Sequence, residues 1–387
     1  MSNYSQFFPT AGSGGGGETS TPGNRLNRRI FYGPLDSPAA ATVNWTVPDN
    51  TTTVEVHAWG GGGGGFDPTP GTLHCFGGGG GGGYARAEYI VTGGDTLAIS
   101  VGGIQGTSSV TIPTQSPTSP VSALAGNSTN NATGATGGSA SVTLNPTFPT
   151  TYCMTADGGS GGNGNCQGAG SPWAPWPGTS SVWKMYMGGG GGSAGSPLGP
   201  GFFGSEAKQP NWAGGGGGGI GGHTNYTHGG GSRAPSTAYG GGSGGTTNTN
   251  RITSSGTDYS RAQSSTRANC NEDVWWKVED IQGAGGLGAG CQNATCQTTM
   301  IMAGGKGAGG GGAGVIWGCM GSQYQMYQLL GQGGRGGILG GGGGNLFYCN
   351  DPGGTCIQWG CCDGKGGAAG GSGGGQTGTP GVVIIYW

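Results

Sequence analysis

Charge is scarce in this chain. Asp, Glu, Lys and Arg make up 8% of its 387 residues, the formal net charge is −2, and the Arg and Lys residues form no basic run. Nothing in that balance points to a nucleic acid as partner. Long apolar runs are missing as well. The opening MSNYSQFFPTAG has neither the basic start nor the apolar core of a signal peptide, and the terminal VVIIYW falls far short of the roughly 20 residues that cross a bilayer. The expectation is a soluble chain made in the cytoplasm, with no membrane insertion.

Histidine is rare too, with four residues, His57, His74, His223 and His228, and none of them sits in a motif such as GxSxG or HExxH. His57 lies in a strand-like segment, where a structural role is expected. His223 and His228 flank Tyr226 in one loop with no third ligand nearby, which favours a solvated loop over a metal site. GKG at 305–307 and at 364–366 lacks the following Ser or Thr that a nucleotide site would set on Mg²⁺. DGGSGGNGN (157–165) carries Asp157 alone of the recurring aspartates that a calcium-binding glycine repeat needs. The chain is therefore expected to hold no catalytic residues, no metal and no cofactor. Its 11 cysteines include no pair of CxxC units, and CQNATC (291–296) and CNDPGGTCIQWGCC (349–362) match no standard zinc spacing. Disulfides formed after release into an oxidising medium, or buried thiols, remain as their uses.

What the chain has instead is glycine, 102 residues of it. Fixing glycine in a regular element costs roughly 0.5–1 kcal/mol more than fixing alanine. Over the whole chain that reaches on the order of 50–100 kcal/mol, well above the roughly 5–15 kcal/mol of net stability a domain keeps. Either the chain is disordered or something offsets the excess. The 11 Trp, 13 Tyr and 9 Phe, together with the low charge, are the opposite of a disordered composition. Collagen is excluded because its glycine recurs at every third position, whereas here glycine comes in blocks at 14–17, 60–65, 77–83, 188–192, 214–219, 309–312 and 340–344. Polyproline II segments have three residues per turn and no internal hydrogen bonds. Laid side by side, they could satisfy one another's peptide groups, and only residues without a Cβ would allow that approach.

Between the blocks the pattern is β. Val54, Val56 and Ala58 alternate along one segment, YARAEYIV (84–91) along another, and Leu97, Ile99 and Val101 share one face of a third. Pro48-Asp49-Asn50 and Gly93-Gly94-Asp95 read as turns. Residues 111–150 read as loops with one strand at SVTL (141–144), and GVVIIYW reads as a strand that closes the core beside an N-terminal one. The expected fold is mostly β and irregular, with almost no α-helix: an antiparallel β-sandwich joined to packed polyglycine helices of the polyproline II type, connected by long loops. Residues 1–30 form a separate segment containing Phe7, Phe8, Arg25, Arg28 and Arg29. Residues 31–150 form the sandwich with glycine inserts, and residues 151–387 the glycine bundle with its loops and closing strand. Residues 245–282 are nearly free of glycine and read as a surface insertion or as a contact element presenting Trp275 and Trp276.

Aromatic loops on a rigid scaffold are the usual way to build a recognition surface. Trp173, Trp176, Phe202, Phe203, Tyr226 and Tyr239 are the candidates, with His223 beside Tyr226 and with Trp275 and Trp276 in the insertion. The same aromatics could instead cap the ends of the glycine bundle and keep water out of it.

VPDNTTTVEVHAWGGGGGG, then GGGGGGGYARAEYIVTGGDTLAISVGG, then a glycine-rich body ending in GTPGVVIIYW, resembles the glycine-rich proteins of tailed bacteriophages, including tail-fibre tip adhesins. MSNYSQFFPTAG is similar to the opening of virion structural proteins of marine cyanobacterial phages. The framing motifs cover residues 43–103 and 379–387, and the chain departs from the adhesin pattern in its cysteines and in residues 245–282. The resemblance implies a virion component. As an adhesin, it would attach through residues 1–30 to other tail or fibre proteins, as a homotrimer or as a cap on a trimeric fibre, and its loops would meet a host glycan or outer-membrane protein. The alternative is a structural or decoration subunit of the tail, neck or capsid whose aromatics face other virion subunits.

Overall fold

The structure, a computed structural model, describes residues 27–65, 76–112, 121–143, 153–167, 182–197, 199–207, 217–219, 316–320, 323–327, 336, 339–344, 346–351, 356–357, 364, 366–374 and 377–387. In chain order its strands are β1 Arg28–Tyr32, β2 Ala41–Thr46, β3 Thr53–Trp59, β4 Tyr84–Ile90, β5 Thr96–Val101, β6 Ser108–Thr111, β7 Val121–Ala123 and β8 Ala140–Val142. They continue with β9 Cys153–Ala156, β10 Asn165–Gln167, β11 Val182–Met187, β12 Ile316–Met320, β13 Gln323–Tyr327, β14 Leu346–Asp351, β15 Cys356–Ile357 and β16 Val382–Tyr386. All the pairings between them are antiparallel. Among the described residues there is no α-helix.

Two five-stranded sheets, β1-β16-β3-β4-β9 and β2-β5-β6-β7-β8, share one apolar core. Alternation explains which side chains enter it. Val54, Val56 and Ala58 of β3 and Ala85, Ala87 and Tyr89 of β4 meet Leu97, Ile99 and Val101 of β5, Val110 of β6 and Val121 of β7. The closing strand β16 behaves differently because both of its faces are covered. Val383 and Ile385 enter the shared core, while Val382, Ile384 and Tyr386 enter a second cluster with Trp59, Tyr84, Ala194, Leu339, Ala368 and Ala369. A strand buried on two sides reads as a continuous apolar run, and β16 lies between β1 and β3, with Ile384 opposite Ile30 on one side and His57 on the other.

The turns follow their residues. Thr51 N–H donates to Pro48 C=O at 3.2 Å, and Asp95 N–H to Thr92 C=O at 2.9 Å, with Gly94 at φ 90° in the left-handed region. The region 111–150 departs from its expected single strand: β8 falls at Ala140–Val142, and β7, Val121–Ala123, pairs with both β6 and β8. Three residues of alternation are too few to stand out in a sequence rich in Ser and Thr. The first sheet draws β1, β3 and β4 from before residue 150 and β9 and β16 from after it.

The run 77–83 reveals how the glycine segments are held. Its N–H groups donate to three neighbours in rotation: Gly78 and Gly81 to the carbonyls of Gly162 and Gly159, Gly79 and Gly82 to those of Ser372 and Ala369, and Gly80 and Gly83 to those of Asn127 and Leu124, all at 2.7–3.0 Å. Its carbonyls accept in the same step of three residues: Gly78 and Gly81 from Ala135 and Gly138, Gly79 and Gly82 from Gly192 and Gly195, and Gly80 and Gly83 from Gly63 and Gly60. Six segments therefore surround one run, and the peptide N–H and C=O groups of Gly78 to Gly83 are satisfied sideways. The second run, 188–195, continues the arrangement, with Gly191 N–H donating to Gly342 C=O and Ala194 N–H to Leu339 C=O, both at 2.8 Å. Where this layer meets the first sheet, glycine gives way to Ala194, Leu339, Ala368 and Ala369, whose side chains join Trp59 and Ile384. Trp59 Nε1–H donates to Gly195 C=O at 3.0 Å and ties the two together.

Candidate functional site

The described part of the expected recognition surface lies on the segment that follows the run 188–195. The chain reverses at Ser196 and Gly199, whose backbone groups exchange two hydrogen bonds of 2.9 Å. Gly199 has φ 125°, a conformation reserved in practice for glycine. The returning segment is a loop without regular secondary structure, and it is held against the outgoing run in the same step of three: Ser193 N–H donates to Phe202 C=O at 2.9 Å and Gly190 N–H to Ser205 C=O at 3.0 Å. Phe202 N–H also donates to Ser193 Oγ at 2.8 Å. On its other side, Gly201, Gly204 and Ala207 donate to Asp157, Ser160 and Asn163, each at 2.8 Å.

This fixes the backbone beneath an exposed aromatic. Phe203 is 41% exposed, and Phe202 is half-buried. Nearby, Asn163 Nδ2 donates to Glu206 Oε1 at 2.9 Å. Such a surface can contribute apolar and stacking contacts without first being ordered, which is the condition under which an aromatic contributes most to binding. Arg28 and Arg29, expected in the attachment segment, lie in β1 at the edge of the first sheet. Arg29 is exposed, with its guanidinium 5.3 Å from the centroid of the Phe31 ring. Phe7, Phe8, Arg25, Trp173, Trp176, His223, Tyr226, Tyr239, Trp275 and Trp276 lie outside the described residues.

A polar group sits on β3 and β4 in residues that form no local motif. On the face of the first sheet opposite the shared core, β3 carries Glu55, His57 and Trp59, and register places Arg86 beside His57 and Tyr84 beside Trp59. His57 Nε2–H donates to Glu55 Oε1 at 2.8 Å, and in the neutral ring Nδ1 accepts from the Tyr84 hydroxyl at 2.9 Å. Arg86 pairs with the same carboxylate. Burial alone would raise the Glu55 pKa, but the hydrogen bond from His57, the positive charge that ring carries when it is protonated, and the Arg86 guanidinium outweigh it and hold the carboxyl at about 2. Burial pushes the neighbouring Tyr386 hydroxyl up. Aromatic rings enclose the imidazole, with Tyr386 at 5.2 Å and Trp59 and Tyr84 each at 5.8 Å between centroids. His57 is 8% exposed and both its ring nitrogens are engaged. It is thus committed to fixing the sheet face, and neither nitrogen is left for a ligand. Among the described residues, no three His, Cys, Asp or Glu residues gather to hold a metal ion, and no helix is long and apolar enough to cross a membrane.

No curated protein sequence matches the chain. A sequence profile of a glycine-rich domain matches residues 37–235, just over half of the 387 residues, and the chain belongs to that glycine-rich domain family.

Proposed function

We propose that the chain is a bacteriophage virion protein, an adhesin of the tail fibre or tail tip that binds the surface of the host cell. In this reading the glycine runs are polyproline II-type helices packed side by side on a β-sandwich, and together they form a rigid platform for variable loops. Support comes from the hydrogen-bond step of three residues, which equals the number of residues per polyproline II turn, and from the six neighbours around the run 77–83. The observation that carries the recognition role is the exposed Phe203 on a backbone bonded along both edges. Residues 1–30 attach the chain to other tail or fibre proteins, as a homotrimer or as a cap on a trimeric fibre. The loops of 151–387 meet a host glycan or outer-membrane protein, with Trp173, Trp176, Phe203 and Tyr226 among the contacts. No enzymatic step, nucleic acid or membrane insertion is involved.

The test is binding of the purified chain to intact cells of the bacterium its phage infects. Binding that is lost in the Trp173→Ala/Trp176→Ala variant supports the reading. Absence of binding, with the chain labelled in virions at the neck or capsid, would replace it with a structural or decoration role.

A further inference from the structure

β14 and β15 form a short antiparallel hairpin at the edge of the four-stranded sheet β10-β11-β14-β15, with Tyr348 opposite Ile357 and Cys349 opposite Cys356. The other cysteines on described strands have different partners across the ladder: Cys153 stands opposite Ala87, Cys166 opposite Tyr186 and Cys319 opposite Tyr324. Directly opposed residues of an antiparallel pair have Cα atoms about 4.5 or about 5.5 Å apart, depending on the ladder position. Both separations fall inside the window of roughly 4.4–6.8 Å that a disulfide spans. Across the other side of β14, the register partner of Cys349 is Lys184. Only two register pairs hold β15 to β14, so a covalent tie would fix an edge that is otherwise weakly specified.

We propose that Cys349 and Cys356 form a disulfide across this hairpin once the chain reaches an oxidising medium. With glutathione disulfide as oxidant, one cysteine thiolate attacks it, forms a mixed disulfide and releases one glutathione thiolate. The second cysteine thiolate then attacks the protein sulfur of that mixed disulfide and releases the second glutathione. Two protein thiols are oxidised and one glutathione disulfide is reduced to two glutathiones. This pairing does not depend on what the chain binds.

The full chain is equilibrated with glutathione disulfide, alkylated under denaturing conditions and mapped by mass spectrometry before and after reduction. Cys153, an exposed free thiol, serves as the internal reference. The expected result is Cys153 carrying an alkyl group or a single glutathione, and Cys349 and Cys356 recovered as one linked peptide pair that is alkylated only after reduction. Acid cleavage at the two Asp–Pro bonds, Asp67–Pro68 and Asp351–Pro352, should leave the fragments on either side of Asp351–Pro352 joined until reductant is added. In the Cys356→Ser chain, Cys349 should take up the alkyl group or glutathione. Alkylation of both cysteines in the unreduced protein overturns the proposal, and so does a Cys349 that stays joined to another cysteine when Cys356 is replaced.

Discussion

A Cβ placed on Gly79 would lie 2.1 Å from the carbonyl oxygen of Gly63 in the adjoining run. That oxygen cannot retreat, because it accepts from Ser372 N–H at 2.9 Å. Gly94 offers the contrast: its φ is 90°, and nothing lies within 4 Å of the position a Cβ would take. The two glycines are required for different reasons, one for closeness and one for conformation. Replacing Gly94 by Ala should cost about 1–2 kcal/mol, as expected for a left-handed residue. Replacing Gly79 by Ala should cost more, because overpacking of about 1–3 kcal/mol is joined by the loss of neighbouring backbone bonds. Thermal unfolding of the two variants compares them directly, and equal effects would count against close approach as the reason for glycine.

Glu55 makes the stability of the first sheet depend on acid. Its folded pKa of about 2 lies below the ordinary 4.5, so the unfolded chain takes up the proton first as the pH falls. The stabilisation is complete above about 4.5 and is lost as the pH descends through that interval toward 2. The stability measured by denaturant unfolding should fall between those limits as the native chain is acidified, and Glu55→Gln should flatten that dependence on pH. An unchanged slope in the variant would remove Glu55 as its source.

Phe203 separates recognition from folding. Its side chain is exposed, so Phe203→Ala should leave thermal stability within about 0.5 kcal/mol of the native value. If the segment contacts the host surface, cell binding should weaken several-fold in the same variant. Unaltered binding would shift recognition to the loops that carry Trp173, Trp176 and Tyr226.

Much of the sheet architecture is legible in the residues. Alternation picks out the buried faces of β3, β4 and β5, and the continuous apolar run of β16 foretells a strand covered on both sides. The glycine blocks indicate side-by-side backbones, since no other residue tolerates an oxygen where the Cβ of Gly79 would sit. Interruptions in those blocks carry a further signal that is readable only with the fold in hand: Ala194, Leu339, Ala368 and Ala369 mark where the glycine layer rests on Trp59. The group of Glu55, His57, Tyr84 and Arg86 was illegible because it depends on the register between β3 and β4, which no local pattern fixes. The hydrogen bonding of the return segment through Phe202 is hidden from the sequence for a similar reason. That segment lacks strand periodicity, and its hydrogen bonds go to runs distant in sequence, such as 157–163.

The claim on which the rest stands is that glycine runs are stiffened by hydrogen bonds to their neighbours. Residue-resolved amide hydrogen exchange of Gly78–Gly82 measures it most directly. These amides should exchange as slowly as those of Val56 and Ile384 in the sheet, through opening of the whole structure. Exchange at the rate of an unstructured glycine peptide, with the sheet amides still protected, would contradict the claim.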